Sequence, residues 1–317
     1  MPTHPSPAVS RRRLAALQHH VVCAAASLDS VPLWPGNNAP HSSDGGEFQP
    51  SLDIFLHPAA AAANQPLGAV LIIPGGGYGG RATDHEGYQI AAAVNRAGLH
   101  AFVLQYRVAP NTHPAPLLDV SRGLRLIRAR AEEWLLNPRM LAVLGFSAGG
   151  HLAASISVLH RRYPFAEDDD LSGSFSNRPD ATILCYPVIT SDEAWAHKGS
   201  FANLLGPDAT EEQRSEFSLE KHIDEETPSA FLFHTTGDAA VPVENSLLYA
   251  TGMRRVGTPF EMHVFPGLPH GIGLGDGTNE REGSAHVGSW SKLAMGWLRS
   301  EQGFSALEPA DGTDSVL

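Results

Sequence analysis

Cysteine is nearly absent from this chain: Cys23 and Cys185 are the only two in 317 residues, too few for a disulfide framework. Cys185 falls in an apolar run, where a buried free thiol is the ordinary expectation, so the redox compartment is left open. Long hydrophobic runs are missing as well. None reaches the roughly 18 to 20 apolar residues of a membrane-spanning helix. Basic charge is in deficit, with 22 Lys and Arg against 34 Asp and Glu and a formal net charge of -12. That deficit argues against nucleic acid as a partner, because phosphate binding needs a basic patch and the short run Arg11, Arg12, Arg13 is all there is. Internal repeats are also missing, which removes solenoids and propellers. What is present, 42% hydrophobic and 18% charged residues over 317 positions, is a globular composition long enough for one large α/β domain.

The N-terminal stretch SRRRLAALQHHVVCAAAS carries the paired arginines and small residues of an export signal. Its apolar centre is short and interrupted by Gln18, His19 and His20, and Val22 before Cys23 departs from a lipoprotein pattern. The expectation is therefore a solvated extension over residues 1–30 and a cytoplasmic protein, with twin-arginine export as the alternative.

From there on, periodicity organises the chain. SLDIFLHP alternates Leu52, Ile54 and Leu56 as a half-buried strand does. GAVLIIP, HAFVLQYRV, LAVLGF, ATILCYPVI and SAFLFHTTG are continuous apolar runs, the mark of parallel strands covered on both faces. Asp84 can cap a helix that runs to about Ala97 and stops at Gly98. Leu117, Val120, Leu124, Ile127, Ala131 and Trp134 recur at helical spacing, with Arg122, Arg125 and Glu132 on the other faces. Further helices follow over AGGHLAASISVLH, VENSLLYATGMRRVG and WSKLAMGWLRS, with the strand FEMHVFPG between the last two. Strands alternating with helices predict an α/β fold, a mostly parallel sheet with helices on both faces, in one domain over 31–302. Residues 303–317 read as a flexible tail. The acidic triplet Asp168, Asp169, Asp170 reads as a solvated loop, since no calcium-loop spacing follows it. The segment 191–227 between two strands has the length of a cap over the end of the sheet.

Chemistry gathers around GFSAGG. A Gly-x-Ser-x-Gly match is weak alone, but here it follows a buried strand and opens a helix, the placement of a nucleophile elbow. Ser147 would then stand in a strained turn that Gly145 and Gly149 keep clear of side chains, with the Ala148 N–H directed at any oxyanion formed there. LIIPGGGYGG puts Gly75, Gly76 and Gly77 directly after an upstream strand, where bare N–H groups can complete an oxyanion hole; it lacks the ending of a phosphate-binding loop. A serine needs a base, and the base an orienting acid. Asp238 in FLFHTTGDAAVP and His270 in FPGLPHGIG both follow strands in the order Ser, Asp, His. Glu244 and Asp224 are weaker acids by position, and His286 and His263 weaker bases. Gly150 reads as a packing glycine, His151 as a hydrogen-bonded helix residue, and Asp84, His85 and Glu86 as a helix-capping group near the pocket mouth.

VPLWPGNNAP, LIIPGGGYGG, FVLQYRVAP, HPAPLLDVSRGLRLIRARAEEW, GFSAGGHLA, HTTGDAAVPVENS and FPGLPHG together resemble the α/β-hydrolase-fold esterases of the acetylxylan-esterase-like carbohydrate esterase type, and more distantly the hormone-sensitive-lipase type. The resemblance spans roughly Val31 to Trp297. It implies Ser147 as nucleophile, Asp238 and His270 as its partners, Gly76, Gly77 and Ala148 as oxyanion donors, and no cofactor or metal. Pro74 stands where the lipase type has the His of its His-Gly-Gly-Gly motif, which favours the carbohydrate-esterase side. The expected activity is hydrolysis of short acyl esters, acetyl on xylan or xylo-oligosaccharides foremost; the alternative is a general carboxylesterase or a formamidase-type amidase. The expected partner is a small-molecule or oligosaccharide ester, with neither nucleic acid nor membrane, and the oligomeric state is left open.

Overall fold

The computed structural model describes residues 29–162, 169–171, 173–278 and 281–308. Arg11 to Arg13, Cys23 and Asp168 lie outside these residues. Eight strands, β1 (Asp29–Pro32), β2 (Ser51–Phe55), β3 (Leu67–Ile73), β4 (His100–Gln105), β5 (Leu136–Phe146), β6 (Ala181–Cys185), β7 (Ala230–Thr235) and β8 (Phe260–Phe265), form one sheet in the order β1-β2-β4-β3-β5-β6-β7-β8. β1 and β2 join antiparallel, and every pair from β4 to β8 is parallel. This is the α/β architecture that the alternation of elements called for, and it is the α/β-hydrolase fold.

The continuous apolar runs are explained by burial on both faces. Along β3, Ala69, Leu71 and Ile73 enter one core while Val70 and Ile72 enter the other. β5 divides in the same way, with Leu141 and Val143 against Ala142, Leu144 and Phe146, because successive side chains leave a strand on opposite sides. The first core is completed by α2 (Ala115–Ala129), α3 (Ser147–Leu159) and α6 (Glu244–Val256), the second by α1 (Gln89–Arg96) and α7 (Ala285–Ser300). Between β6 and β7 the chain adds α4 (Lys198–Leu205) and α5 (Glu211–Glu216).

Several sequence expectations change. The strand begun at His100 stops at Gln105, short of Arg107, which turns into a fully buried fork on Asp119 of α2. Arg107 Nε donates to Asp119 Oδ2 at 2.9 Å and Nη2 to Oδ1 at 2.7 Å, while the backbone N–H of Arg107 and the Trp34 indole also donate to this carboxylate. Burial holds the Asp119 carboxyl above its usual value although the guanidinium lowers it; two donors on each oxygen leave neither bare. Off the apolar stripe of α2, the arginines are buried as ion pairs. Arg122 and Arg125 bind Asp169, and Arg128 binds Asp180 at 2.9 Å, all three guanidinium side chains being buried. Asp169 is thus a buried counter-ion rather than part of a solvated loop. The tail also begins packed: Phe304 is buried in the second core, the Gly68 N–H donates to Ser305 O, and the Leu307 N–H to Gly98 O. Asp84 does not cap its helix. Asp84–Tyr88 is a single wide π-helical turn leading into α1, with no side-chain cap.

Removing one partner of a buried pair leaves the other charge uncompensated. Asp119→Ala is expected to lower unfolding free energy by about 3 to 5 kcal/mol in urea titrations; a change below about 1 kcal/mol would show that the Arg107 fork is not what holds α2 to the β4 end.

Candidate active site

The turn from β5 into α3 places Ser147. Phe146 is extended (φ -114°, ψ 136°) and Ser147 itself is left-handed at φ 53°, a conformation that costs a serine on the order of 1 to 3 kcal/mol. The surroundings fix it. A Cβ on Gly149 would run into the carbonyl oxygens of Ile73 and Pro74, and one on Gly145 into that of Gly149, so the helix start lies directly on the end of β3 only because both residues are glycine. The Val188 N–H closes the turn by donating to Ser147 O at 3.0 Å. Ser147 heads α3, where first-turn N–H groups have no helical acceptor and the dipole favours negative charge. Beside it, Gly76 is exposed and Gly77 half-buried after β3, with Gly76 (φ 130°) and Gly77 (φ 63°) in backbone conformations open to glycine. Gly76 and Gly77 follow Gly75, where a Cβ would stand 2.8 Å from Ser147 Cβ, and Ala148 follows Ser147 in the first turn of α3.

The loops after β7 and β8 bring the other two residues. His270 Nε2 stands 2.8 Å from Ser147 Oγ, and His270 Nδ1 2.6 Å from Asp238 Oδ2. The second contact fixes Nδ1 as the protonated nitrogen and leaves Nε2 to accept from the serine hydroxyl. Asp238 is held in turn by the N–H groups of Ala240 (3.0 Å) and Val241 (2.8 Å) on Oδ1. Burial by itself would raise the Asp238 carboxyl; His234, His270 and the Val241 N–H outweigh it and hold the group well below the usual carboxylate range. The rival residues are occupied elsewhere. Asp224 accepts from Glu226 and Thr227 within its own turn, Glu244 heads α6, His263 pairs with Glu261 within β8, and His286 packs against Phe265.

His151 behaves as a buried helix residue: Nε2–H donates to Phe217 O at 3.0 Å, Nδ1 accepts from Tyr78 Oη at 2.9 Å, and burial pushes the imidazole down to about 4. Gly150 is a packing glycine, since a Cβ there would meet Pro187 at 2.8 Å.

Four further residues stand at the site, three of them unmarked in the sequence and the fourth, Glu86, in a different role. Glu86, expected to cap a helix, is instead fully buried and accepts from the Gly75 N–H and the Tyr186 hydroxyl. Tyr186 stands edge-on to His270 with ring centroids 5.0 Å apart. From the 191–227 insertion, Asn203 donates to Gly77 O at 2.9 Å, and His197 lies beside Gly77, its Cε1 3.9 Å from where a Gly77 Cβ would be. His197 Nδ1 is engaged by Ser200, and burial, then the neighbouring His270, lowers its affinity for a proton. A single polar residue in a turn or a short helix carries no periodic signal, so nothing local distinguished these from surface residues.

A serine, a histidine and an aspartate bonded in series at the C-terminal ends of parallel strands, beside a glycine loop and a helix N-terminus, define the class: an α/β hydrolase. The family model BD-FAE matches residues 52–253, and the chain belongs to that family. It is 36% identical over 245 residues to endo-1,4-beta-xylanase B of Butyrivibrio fibrisolvens, covering 76% of this chain and 37% of that one. With the acetylxylan esterase of Xylanibacter ruminicola it shares 34% over 214 residues, covering 65% and 41%. The chain therefore spans about two fifths of these relatives' length. Among solved structures, the acetyl ester-xyloside bifunctional hydrolase from Caldicellulosiruptor lactoaceticus aligns with a TM-score of 0.77 at 38% identity, over 86% of this chain and 96% of that one.

Because the Asp238 carboxyl is depressed in the folded state, its contribution to stability is complete above the ordinary aspartate value of about 4 and is lost as pH falls through the folded value. The stability difference between the wild type and Asp238→Asn should accordingly be widest near pH 7 and shrink toward pH 3, measured as paired thermal midpoints; a constant difference would exclude this carboxylate as an acid-sensitive element.

Proposed function

We propose that this protein is a serine esterase of the acetylxylan-esterase type, removing short acyl groups, acetyl foremost, from acetylated xylan or xylo-oligosaccharides. The observation that carries the reading is the unbroken series Ser147 Oγ, His270, Asp238 at 2.8 and 2.6 Å. In the proposed reaction His270 Nε2 takes the Ser147 proton as Oγ attacks the ester carbonyl. The tetrahedral oxyanion is met by N–H groups of Ala148 and of Gly76 or Gly77. Collapse expels the alcohol, protonated by His270, and leaves an acyl-enzyme. Water, deprotonated by the same imidazole, then releases the acid and restores the serine. Asp238 keeps the imidazole in the required tautomer and stabilises the imidazolium.

The substrate class draws support from the acetylxylan esterase and the acetyl ester-xyloside hydrolase among the relatives, and from the rim of the site. With Nδ1 taken by Ser200, His197 presents Nε2–H beside the oxyanion loop, a donor suited to a sugar hydroxyl rather than to a long acyl chain.

Ser147→Ala should cut kcat on 4-nitrophenyl acetate by about a thousand-fold or more with the far-ultraviolet spectrum unchanged; near-wild-type turnover would remove the nucleophile assignment. On a panel from acetyl to octanoyl esters, run beside acetylated xylo-oligosaccharide and an aryl amide, turnover should be greatest for the acetyl substrates, and preference for octanoyl or amide would point to the carboxylesterase or amidase alternative. His197→Phe should raise KM for acetylated xylo-oligosaccharide by about 2- to 10-fold, the worth of one neutral hydrogen bond, and an unchanged KM would remove His197 from substrate binding.

A further inference from the structure

The loops that supply the oxyanion hole and the histidine come from opposite sides of Ser147, and a single buried side chain connects them. Glu86, in the turn before α1, is 2% exposed. Its Oε2 accepts from the Gly75 N–H at 2.9 Å, which ties down the residue immediately before Gly76 and Gly77. Its Oε1 accepts from the Tyr186 hydroxyl at 2.8 Å, and that hydroxyl accepts from the Gly273 N–H at 2.9 Å, three residues past His270. The Tyr186 ring meanwhile lies edge-on against the imidazole at 5.0 Å. Tyr186 is itself left-handed at φ 36°, directed inward at the end of β6 where a strand would have carried it past the site. Space is tight on the other side too. A Cβ on Gly75 would stand 2.6 Å from Glu86 Oε2 and 2.8 Å from Ser147 Cβ, so carboxylate, oxyanion loop and serine are in mutual contact.

A buried carboxylate is costly unless its oxygens are bonded. Here both oxygens accept, which is what the ionised form requires. The titratable and charged groups around it are Asp84 and His85 on its own turn, Cys185 and Tyr186 after β6, His270 after β8, and Arg281 beyond it. His85 Nε2 is 3.8 Å from Glu86 Oε1, and Arg281 bonds both His85 Nδ1 and Gly271 O. Burial is the largest influence and holds the carboxyl above its usual value, while the Tyr186 and Gly75 donors and the charges of His270 and Arg281 offset part of that rise.

We propose that Glu86 is a positioning residue of the esterase: its carboxylate fastens the Gly75 to Gly77 loop and, through Tyr186, the His270 to Gly273 loop in one register, and its negative charge supports the imidazolium. The inference rests on the assignment of Ser147 and His270 made above. The two ends of the reaction need each other, since an oxyanion donor displaced by a fraction of an ångström and an imidazole tilted off the serine each lose rate.

Two conservative variants test it. Glu86→Gln keeps one acceptor for Gly75 and a donor for the Tyr186 oxygen but removes the charge. Tyr186→Phe deletes one oxygen and severs the link. Each should lower kcat on 4-nitrophenyl acetate by about 10- to 100-fold with KM within about two-fold, the pattern of an interaction realised in the transition state. The double variant should lose less than the product of the two single losses, because the Glu86 charge and the Tyr186 hydroxyl act through one bonded network. Glu86→Gln should also move the acidic limb of the kcat/KM profile to lower pH, since the imidazole loses a favourable anion nearby; a second-site packing defect would leave that limb in place. Folded variants with wild-type kcat, losses that multiply in the double variant, or an unmoved limb would each overturn the proposal. Should Glu86→Gln not fold, Tyr186→Phe decides by its kcat alone. Failure of the esterase reading is separate: it would be seen as activity surviving in Ser147→Ala.

Discussion

The structure turns on how closely α3 is allowed to approach the end of β3. Two glycines, Gly145 and Gly149, permit a contact in which helix backbone rests on the carbonyls of Ile73 and Pro74. That contact holds Ser147 in its left-handed conformation and sets the glycine loop after β3 beside it. The strain is tolerated because the sheet cannot move: β3 and β5 are hydrogen-bonded neighbours in the middle of eight strands, buried on both faces. A strained residue persists only where its surroundings over-determine it, and these surroundings are the buried centre of the sheet.

Around this fixed point, the remaining groups arrive on loops and are locked by hydrogen bonds rather than by apolar packing. Asp238 is seated by two backbone N–H groups and by His270, Gly75 by Glu86, Gly273 by Tyr186. The same strategy appears away from the site. Arg107 and Asp119, and the arginines of α2 with Asp169 and Asp180, fasten connecting segments onto the helical layer through paired charges. Strand cores supply burial energy without direction, whereas a bonded carboxylate has a direction and so can set the angle of a loop.

Legibility in the sequence followed the same division. Strands and helices were readable because burial imposes a period, and Ser147, Asp238 and His270 were readable because turns at strand ends carry glycine and proline around the reactive residue. The boundaries that failed did so where a polar contact overrides the period: the strand at His100 ends before the Arg107 fork, and the helix expected from Asp84 opens as a wide turn that directs Glu86 inward. Spacing placed Arg122 and Arg125 only off the apolar stripe of α2; that Asp169 and Asp180, 44 to 52 residues further on, pair with the arginines of this helix carries no local signal.

The sequence by itself determined the α/β fold, the two-sided core and the order of the reactive residues, because each depends on neighbours along the chain. Only the tertiary structure decided that His270 meets Ser147 and Asp238 at once, that Glu86 and Tyr186 stand between the two loops, and that His197 reaches Gly77. The bonds of His270 to Asp238 and Ser147, of Tyr186 to Glu86 and of Asn203 to Gly77 join residues 32 to 126 positions apart, and no local pattern encodes a distance that exists only after the sheet has brought its strand ends together.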